Sequence, residues 1–453
     1  MIGGQIVMTQ HHCDQSAKTM STMCIRVLEV VTDKLRRGVL GFALSCLGSC
    51  FLLSAGPCLA EAKTDAVTAP DSTSDAIKFQ RKNYNPAVIH LRFTPAKGKT
   101  SSTDSDAFLD LTLIPSSGNV EGFRVELSSK VFRDQLRQLY MQLSRLESLN
   151  VDDPQSPSRQ IYALLFNGMQ PFLDKEKITT LLIAADRGLQ AVPFAALHNG
   201  NRFLGDRFAF AITPSLALTD FQPQSSSDNR MIALGASEFD GLAALPLVPQ
   251  ELNRISEDGK KDKFLNKDFT PSSLLESASS PQYSTLHIAT HAEFKPGGPE
   301  ASQLHSGLGP VSMKELASLR DKRKGVPLDL VVFSACRTAL GDADAELGFS
   351  GLALQAGARS AVGTLWYVDD VVTSAYFVQM YRFLSQGIPK AEAMQMTRQA
   401  FIRNQVTLSG DQVIGVDGTP LLQELTPSQQ RRVSNGVSNP FFWAGIELMG
   451  APW

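Results

Sequence analysis

Leu286-His287-Ile288-Ala289-Thr290-His291-Ala292 and Val331-Val332-Phe333-Ser334-Ala335-Cys336-Arg337-Thr338 are two apolar runs that each end on a reactive side chain. Short, near-continuous apolar runs are what strands buried on both faces carry, whereas a half-exposed strand alternates. The 45-residue step from His291 to Cys336 has room for one loop, one helix and the next strand. Neighbouring strands of a parallel sheet then deliver an imidazole and a thiol to the same end, where α/β sheets collect their reactive groups.

The same pattern extends in both directions. Runs at 180–185, 208–212, 231–235, 285–289, 328–334 and 361–366 read as buried strands. Helical patterns at 249–255, 312–319, 351–356, 372–384 and 390–402 fill much of the space between them. The predicted fold is an α/β three-layer sandwich with a mainly parallel central sheet flanked by helices. Upstream, strand-like runs at 87–93 and 108–114 precede a helix predicted over 130–149, whose Phe132, Leu136, Leu139, Leu143 and Leu146 form one apolar stripe at helical spacing. These predict an N-terminal β/α extension over 84–155 that packs on a main domain over 156–453. No internal repeat of 20–50 residues is visible.

Composition narrows the function. The chain has 453 residues, 43% hydrophobic and 19% charged, with a net charge of −2. That balance provides no basic field for nucleic acid. Five of the six cysteines lie in the first 58 residues, around an uncharged 19-residue run from Gly38 to Gly56. Lys34, Arg36 and Arg37 precede this run, and Cys58-Leu59-Ala60 follow it. Residues 1–60 therefore read as a secretory signal peptide, with export to the periplasm or the extracellular medium. The alternative is a retained single-pass anchor, the one case in which a membrane enters. Residues 61–83, rich in Ala, Asp, Ser and Thr, read as a flexible linker.

Cleavage near Ala60 leaves Cys336 as the lone thiol of an exported chain, a candidate nucleophile. A thiol titrates near 8.5, so an adjacent imidazole is needed to take its proton and later to protonate a leaving amine. The nucleophile's own amide and one from the loop after the histidine are placed to hold an oxyanion. No phosphate-binding glycine loop, zinc-ligand spacing or serine elbow occurs, and neither a metal nor a cofactor is expected. His198 and His305 read as solvated loop residues, Asp186-Arg187-Gly188 as a turn, and Phe441-Phe442-Trp443 as core or sheet-edge packing.

Ser334-Ala335-Cys336-Arg337 is similar to the caspase nucleophile signature. More broadly, the chain resembles the CHAT domain, a caspase-like module related to separase. The resemblance runs through residues 189–197, Thr213-Pro214-Ser215, 286–291, 334–341, Glu346-Leu347-Gly348, 355–360, 365–370 and 439–445. It implies a cysteine endopeptidase with His291 and Cys336 as its catalytic dyad and a protein or peptide as substrate. Oxyanion donors would be the amides of Ala292 and Cys336. In that family the histidine is generally followed by glycine; here it is Ala292, which would be strained if the position needed positive φ. That departure, and the absence of upstream helical repeats, support a rival reading as a non-catalytic binding or scaffold module. In relatives an acid beside the nucleophile selects a basic P1 side chain. The candidates here are Asp342, Asp344 and Glu346 on the loop after Cys336, and Asp369 and Asp370 beside Trp366.

Overall fold

The computed structural model describes residues 81–96, 105–186, 188–221, 230–255, 261–293, 302–335, 348–367 and 369–453. The expected signal peptide or anchor, most of the 61–83 linker, and Cys336, Asp342, Asp344 and Glu346 lie outside the described residues.

The chain enters as an antiparallel meander, β1 (Pro86–Pro95), β2 (Ala107–Pro115) and β3 (Glu121–Leu127), followed by helix α1 (Ser129–Ser144). The Ser128 hydroxyl caps α1 by accepting from the Val131 amide, and Phe132, Leu139 and Leu143 form its buried stripe. The helix stops short of the predicted Leu149 because Leu146 adopts φ 60°, a left-handed turn that ends the hydrogen-bond ladder and leaves that leucine exposed. Helices α2 (Pro157–Phe166) and α3 (Gln170–Lys175) lead to β4 (Thr180–Ala185). Short α4 (Leu204–Arg207) precedes β5 (Ala209–Thr213).

The second half alternates strands and helices: β6 (Met231–Gly235), α5 (Val248–Ile255), β7 (Lys261–Leu265), α6 (Pro271–Ser279) and β8 (Thr285–Ala289). A small antiparallel sheet follows, of β9 (Ala292–Glu293), β10 (Gln303–Ser306) and β11 (Gly309–Ser312). Next come α7 (Met313–Ala317), α8 (Leu319–Lys322), β12 (Leu330–Ser334), α9 (Gly348–Gln355) and β13 (Ser360–Thr364). Long α10 (Asp370–Ser385) and α11 (Lys390–Ile402) lead into a second small sheet, β14 (Thr407–Ser409), β15 (Gln412–Ile414) and β16 (Pro420–Leu422). The chain closes with α12 (Pro427–Val433) and β17 (Ile446–Gly450).

Eleven strands form one sheet in the order β3-β2-β1-β4-β5-β17-β13-β12-β8-β6-β7. β1 pairs in parallel with β4, so the meander extends the main sheet. From β13 to β7 all neighbours are parallel. β17 runs antiparallel to β13 but parallel to β5, and so joins two parallel blocks of opposite direction. β4 and β5 therefore end at the sheet edge opposite to the ends of β8 and β12.

One face of the second block packs Ile232, Leu234, Leu286, Ile288, Val331 and Phe333 against α6 to α9. Each such leucine, isoleucine or phenylalanine contributes about 1.5–3 kcal/mol when fully buried. α5 and α10 lie on the other face. Gly235 lets α5 approach, since a Cβ there would come within 2.5 Å of Val248 Cγ1. Phe442 and Trp443 are buried core residues, not edge residues, with Trp443 edge-on to Phe203 at 5.2 Å.

Candidate active site

β8 and β12 are adjacent and parallel, with Leu330 opposite Thr285 and Ser334 opposite Ala289. His291 and Cys336 each lie two residues beyond that last rung in the sequence. The end of β12 is held by β13, because the Thr364 hydroxyl donates to the Ala335 carbonyl at 2.9 Å. The end of β8 is held by the connection after β6, where the Ala236 amide donates to the Ala289 carbonyl at 3.0 Å. Threonine suits the first of these ties: its branched side chain tolerates the strand and its hydroxyl reaches a neighbouring backbone.

His291 is half-buried at the mouth of this arrangement. Its Nε2 donates to the Ala243 carbonyl at 2.7 Å, and its ring packs on Phe239 with centroids 4.7 Å apart. A carbonyl only accepts, so Nε2 carries the proton and Nδ1 is the nitrogen left to act as a base. The backbone around His291 is clamped by β10. The His305 amide donates to the His291 carbonyl at 3.0 Å, and the buried Thr290 hydroxyl donates to the His305 carbonyl.

Ala292 sits in β9 opposite Leu304 and is not among the residues with positive φ, so alanine carries no left-handed strain there. Rungs of an antiparallel ladder alternate. The 291/305 rung is hydrogen-bonded, so the Ala292 amide on the next rung points away from β10.

The remaining sequence candidates have other partners. Asp369 caps α10, accepting from the Val371 amide at 2.9 Å and the Val372 amide at 3.2 Å. Arg432 reaches Asp369 at 3.0 Å and Asp370 at 2.5 Å. Burial pushes the Asp369 carboxyl up, and Arg432 opposes that shift. Trp366 is buried, with its Nε1 donating to the Phe441 carbonyl at 3.0 Å and its ring edge-on to Tyr140. His305 lies beside Glu293 at 3.7 Å. His198 corrects the solvated-loop expectation: it is buried, its Nδ1 accepts from the Gly200 amide at 2.9 Å, and burial lowers its pKa. The chain folds back there through a bridge to Phe203, whose ring covers the imidazole. Sequence reasoning missed the Ala243 carbonyl, since any residue type supplies one. It also missed the role of Thr364, whose neighbour across the sheet is invisible in one dimension.

Parallel strands that carry a histidine and a cysteine beyond adjacent ends, between layers of helices, define a caspase-like α/β fold. The chain belongs to the CHAT domain family, whose model matches residues 155–451. Similar solved structures include separase from Saccharomyces cerevisiae in complex with securin, at 12% identity and a TM-score of 0.52, covering 82% of this chain and 30% of that one. The Arg-specific cysteine proteinase gingipain R (RGPB) is similar at 11% identity and a TM-score of 0.39, covering 71% and 75%. The complex of Porphyromonas gingivalis RgpB pro- and mature domains gives 11% and 0.37, covering 72% and 77%. The chain thus spans 30% of the separase chain it matches, and likeness at these identities is one of fold. No curated protein matches it by sequence.

Proposed function

We propose that the chain is a cysteine endopeptidase in which Cys336 is the nucleophile and His291 its general base and acid. The observation that carries the reading is the β8–β12 ladder, whose last rung, Ser334 opposite Ala289, stands two residues before each of the two groups. His291 is also oriented as such a base must be, by a third group bonded to its far nitrogen.

In the first step the thiol proton passes to His291 Nδ1 and the sulfur attacks the scissile carbonyl carbon. The C–N bond then breaks as the imidazolium returns that proton to the leaving amine. Water, deprotonated by the same imidazole, hydrolyses the thioester and regenerates the thiol. The amides of Ala292 and Cys336 stabilise the oxyanion, an effect worth about 10²–10³ in rate per donor. The scaffold reading drew on strain at Ala292, and the strand geometry of that residue removes this ground.

The substrate is a protein or peptide, with no cofactor taking part. A basic P1 side chain would be met by Asp342, Asp344 and Glu346, because Asp369 and Asp370 already face Arg432. Export rests on the basic residues and apolar run ahead of Ala60. Among the described residues no helix is long and apolar enough to cross a membrane.

The test is cleavage of a P1-diverse peptide library by the purified chain and its Cys336→Ser variant. Cleavage is expected to fall by at least about 10³-fold in the variant. Equal cleavage by both proteins would overturn the assignment.

A further inference from the structure

Four polar side chains that the dyad does not use meet in complete burial between β8, α5 and α10. His287 is 0% exposed and Glu251 1%. His287 Nε2 lies 3.0 Å from Glu251 Oε1, Ser374 Oγ lies 2.6 Å from Glu251 Oε2, and Tyr381 OH lies 3.3 Å from His287 Nδ1. Burial, and then the Glu251 charge, keep the Tyr381 hydroxyl protonated and able to donate. With Glu251 accepting from Ser374 and from His287 Nε2–H, Nδ1 in that tautomer accepts from the Tyr381 hydroxyl. The rings of Phe377 and Tyr381 stand edge-on to the imidazole at 5.8 and 5.5 Å and hold its plane. A buried polar network satisfied at every member specifies one arrangement, and a half-satisfied one is costly.

The place of this network gives it a function. His287 and His291 lie on one segment, four residues apart. The segment leaving β6 reaches both: its Ala243 carbonyl accepts from His291, and its Glu251 accepts from His287. At its start this segment is tied by Ala236 to Ala289 and by the Leu245 amide to the Ser237 carbonyl at 2.9 Å. Residues 240–244 between these ties are solvent-exposed, so burial does little to set where Ala243 lies. The position of α5 against β8 therefore governs how the carbonyl meets the imidazole.

We propose that His287 and Glu251 are positioning residues for His291: their bond locks α5 onto β8 and so seats the Ala243 carbonyl on His291 Nε2. This inference goes beyond the peptidase reading, and its principal readout is independent of it.

The full chain labelled with ¹⁵N-histidine tests it. The ring nitrogens of His291 are read by NMR at about pH 8 in the wild type, His287→Leu and His287→Gln. Wild-type His291 is expected as the Nε2–H tautomer. In His287→Leu this preference is expected to give way to the averaged shifts of an unrestrained imidazole. His287→Gln, whose amide still donates to Glu251, is expected to keep it. A folded His287→Leu variant with wild-type His291 signals would overturn the proposal. If that variant does not fold, His287→Leu combined with Glu251→Leu, which removes the bond without leaving a buried charge unpaired, is read in the same way, and unchanged His291 signals again overturn it. Alkylation of Cys336 is followed separately in the wild type and in His291→Ala. If the two rates are equal, the peptidase reading fails, while the tautomer result still decides this one.

Discussion

Asp369 and Asp370 follow the strand beside β12, and both carboxylates are already engaged, one by two helix amides and both by Arg432. In the sequence they are indistinguishable from acids that would greet a basic substrate. Asp369→Ala removes a helix cap, which costs about 1 kcal/mol, and leaves Arg432 with one partner fewer. The melting temperature is expected to fall by a few degrees while the P1 profile stays that of the wild type. A profile that loses basic P1 residues would show Asp369 reading substrate. Ala292 makes the complementary point. A departure from the family's glycine predicts strain only where the backbone needs positive φ, and a strand residue does not.

Strands were legible where both faces are covered. β4, β6 and β8 begin and end where their apolar runs do, because burial on two sides favours apolar residues and admits a polar one only with a partner, as His287 has in Glu251. The strands that escaped the sequence reading are those whose environment differs. β3 and β7 lie at the two edges of the sheet, where charged residues such as Arg124 and Lys263 belong and break the apolar signal. β17 is central, yet Glu447 interrupts its run. Burial pushes that carboxyl well above its usual range, which lets a glutamate occupy a core strand. The place of His291 just beyond β8 was legible as the end of an apolar run. The Ala243 carbonyl and the His287 network were not, since both depend on which helix the sheet places beneath β8.

Over the whole molecule, buried carboxyls make stability depend on pH. Glu392 on α11 is fully buried with Thr180 donating to it, and burial raises its pKa from the ordinary 4.5 to about 7. The folded chain holds this proton over a range where the unfolded chain has released it. The stabilisation from the neutral acid is therefore complete below about pH 4.5 and is lost as pH rises through about 7. At about 1.4 kcal/mol per unit, this amounts to about 3 kcal/mol, with Glu447 acting in the same direction. Glu392→Gln keeps the acceptor for Thr180 and has no proton to lose. Denaturant melts at pH 5 and pH 8 are expected to show a smaller drop for this variant than for the wild type, and equal drops would contradict the assignment.

The two blocks of strands, running in opposite directions and joined by β17, make one sheet whose second block carries His291 just beyond the end of β8. Everything functional follows from whether that imidazole governs the Cys336 thiol. The most direct measurement is the rate at which iodoacetamide alkylates Cys336 across pH 5–9, in the wild type and in His291→Ala. Wild-type labelling is expected to be rapid and to persist well below the ordinary thiol range near 8.5, and to become slow and confined to alkaline pH once the ring is removed. Superimposable rate–pH curves for the two proteins would contradict it.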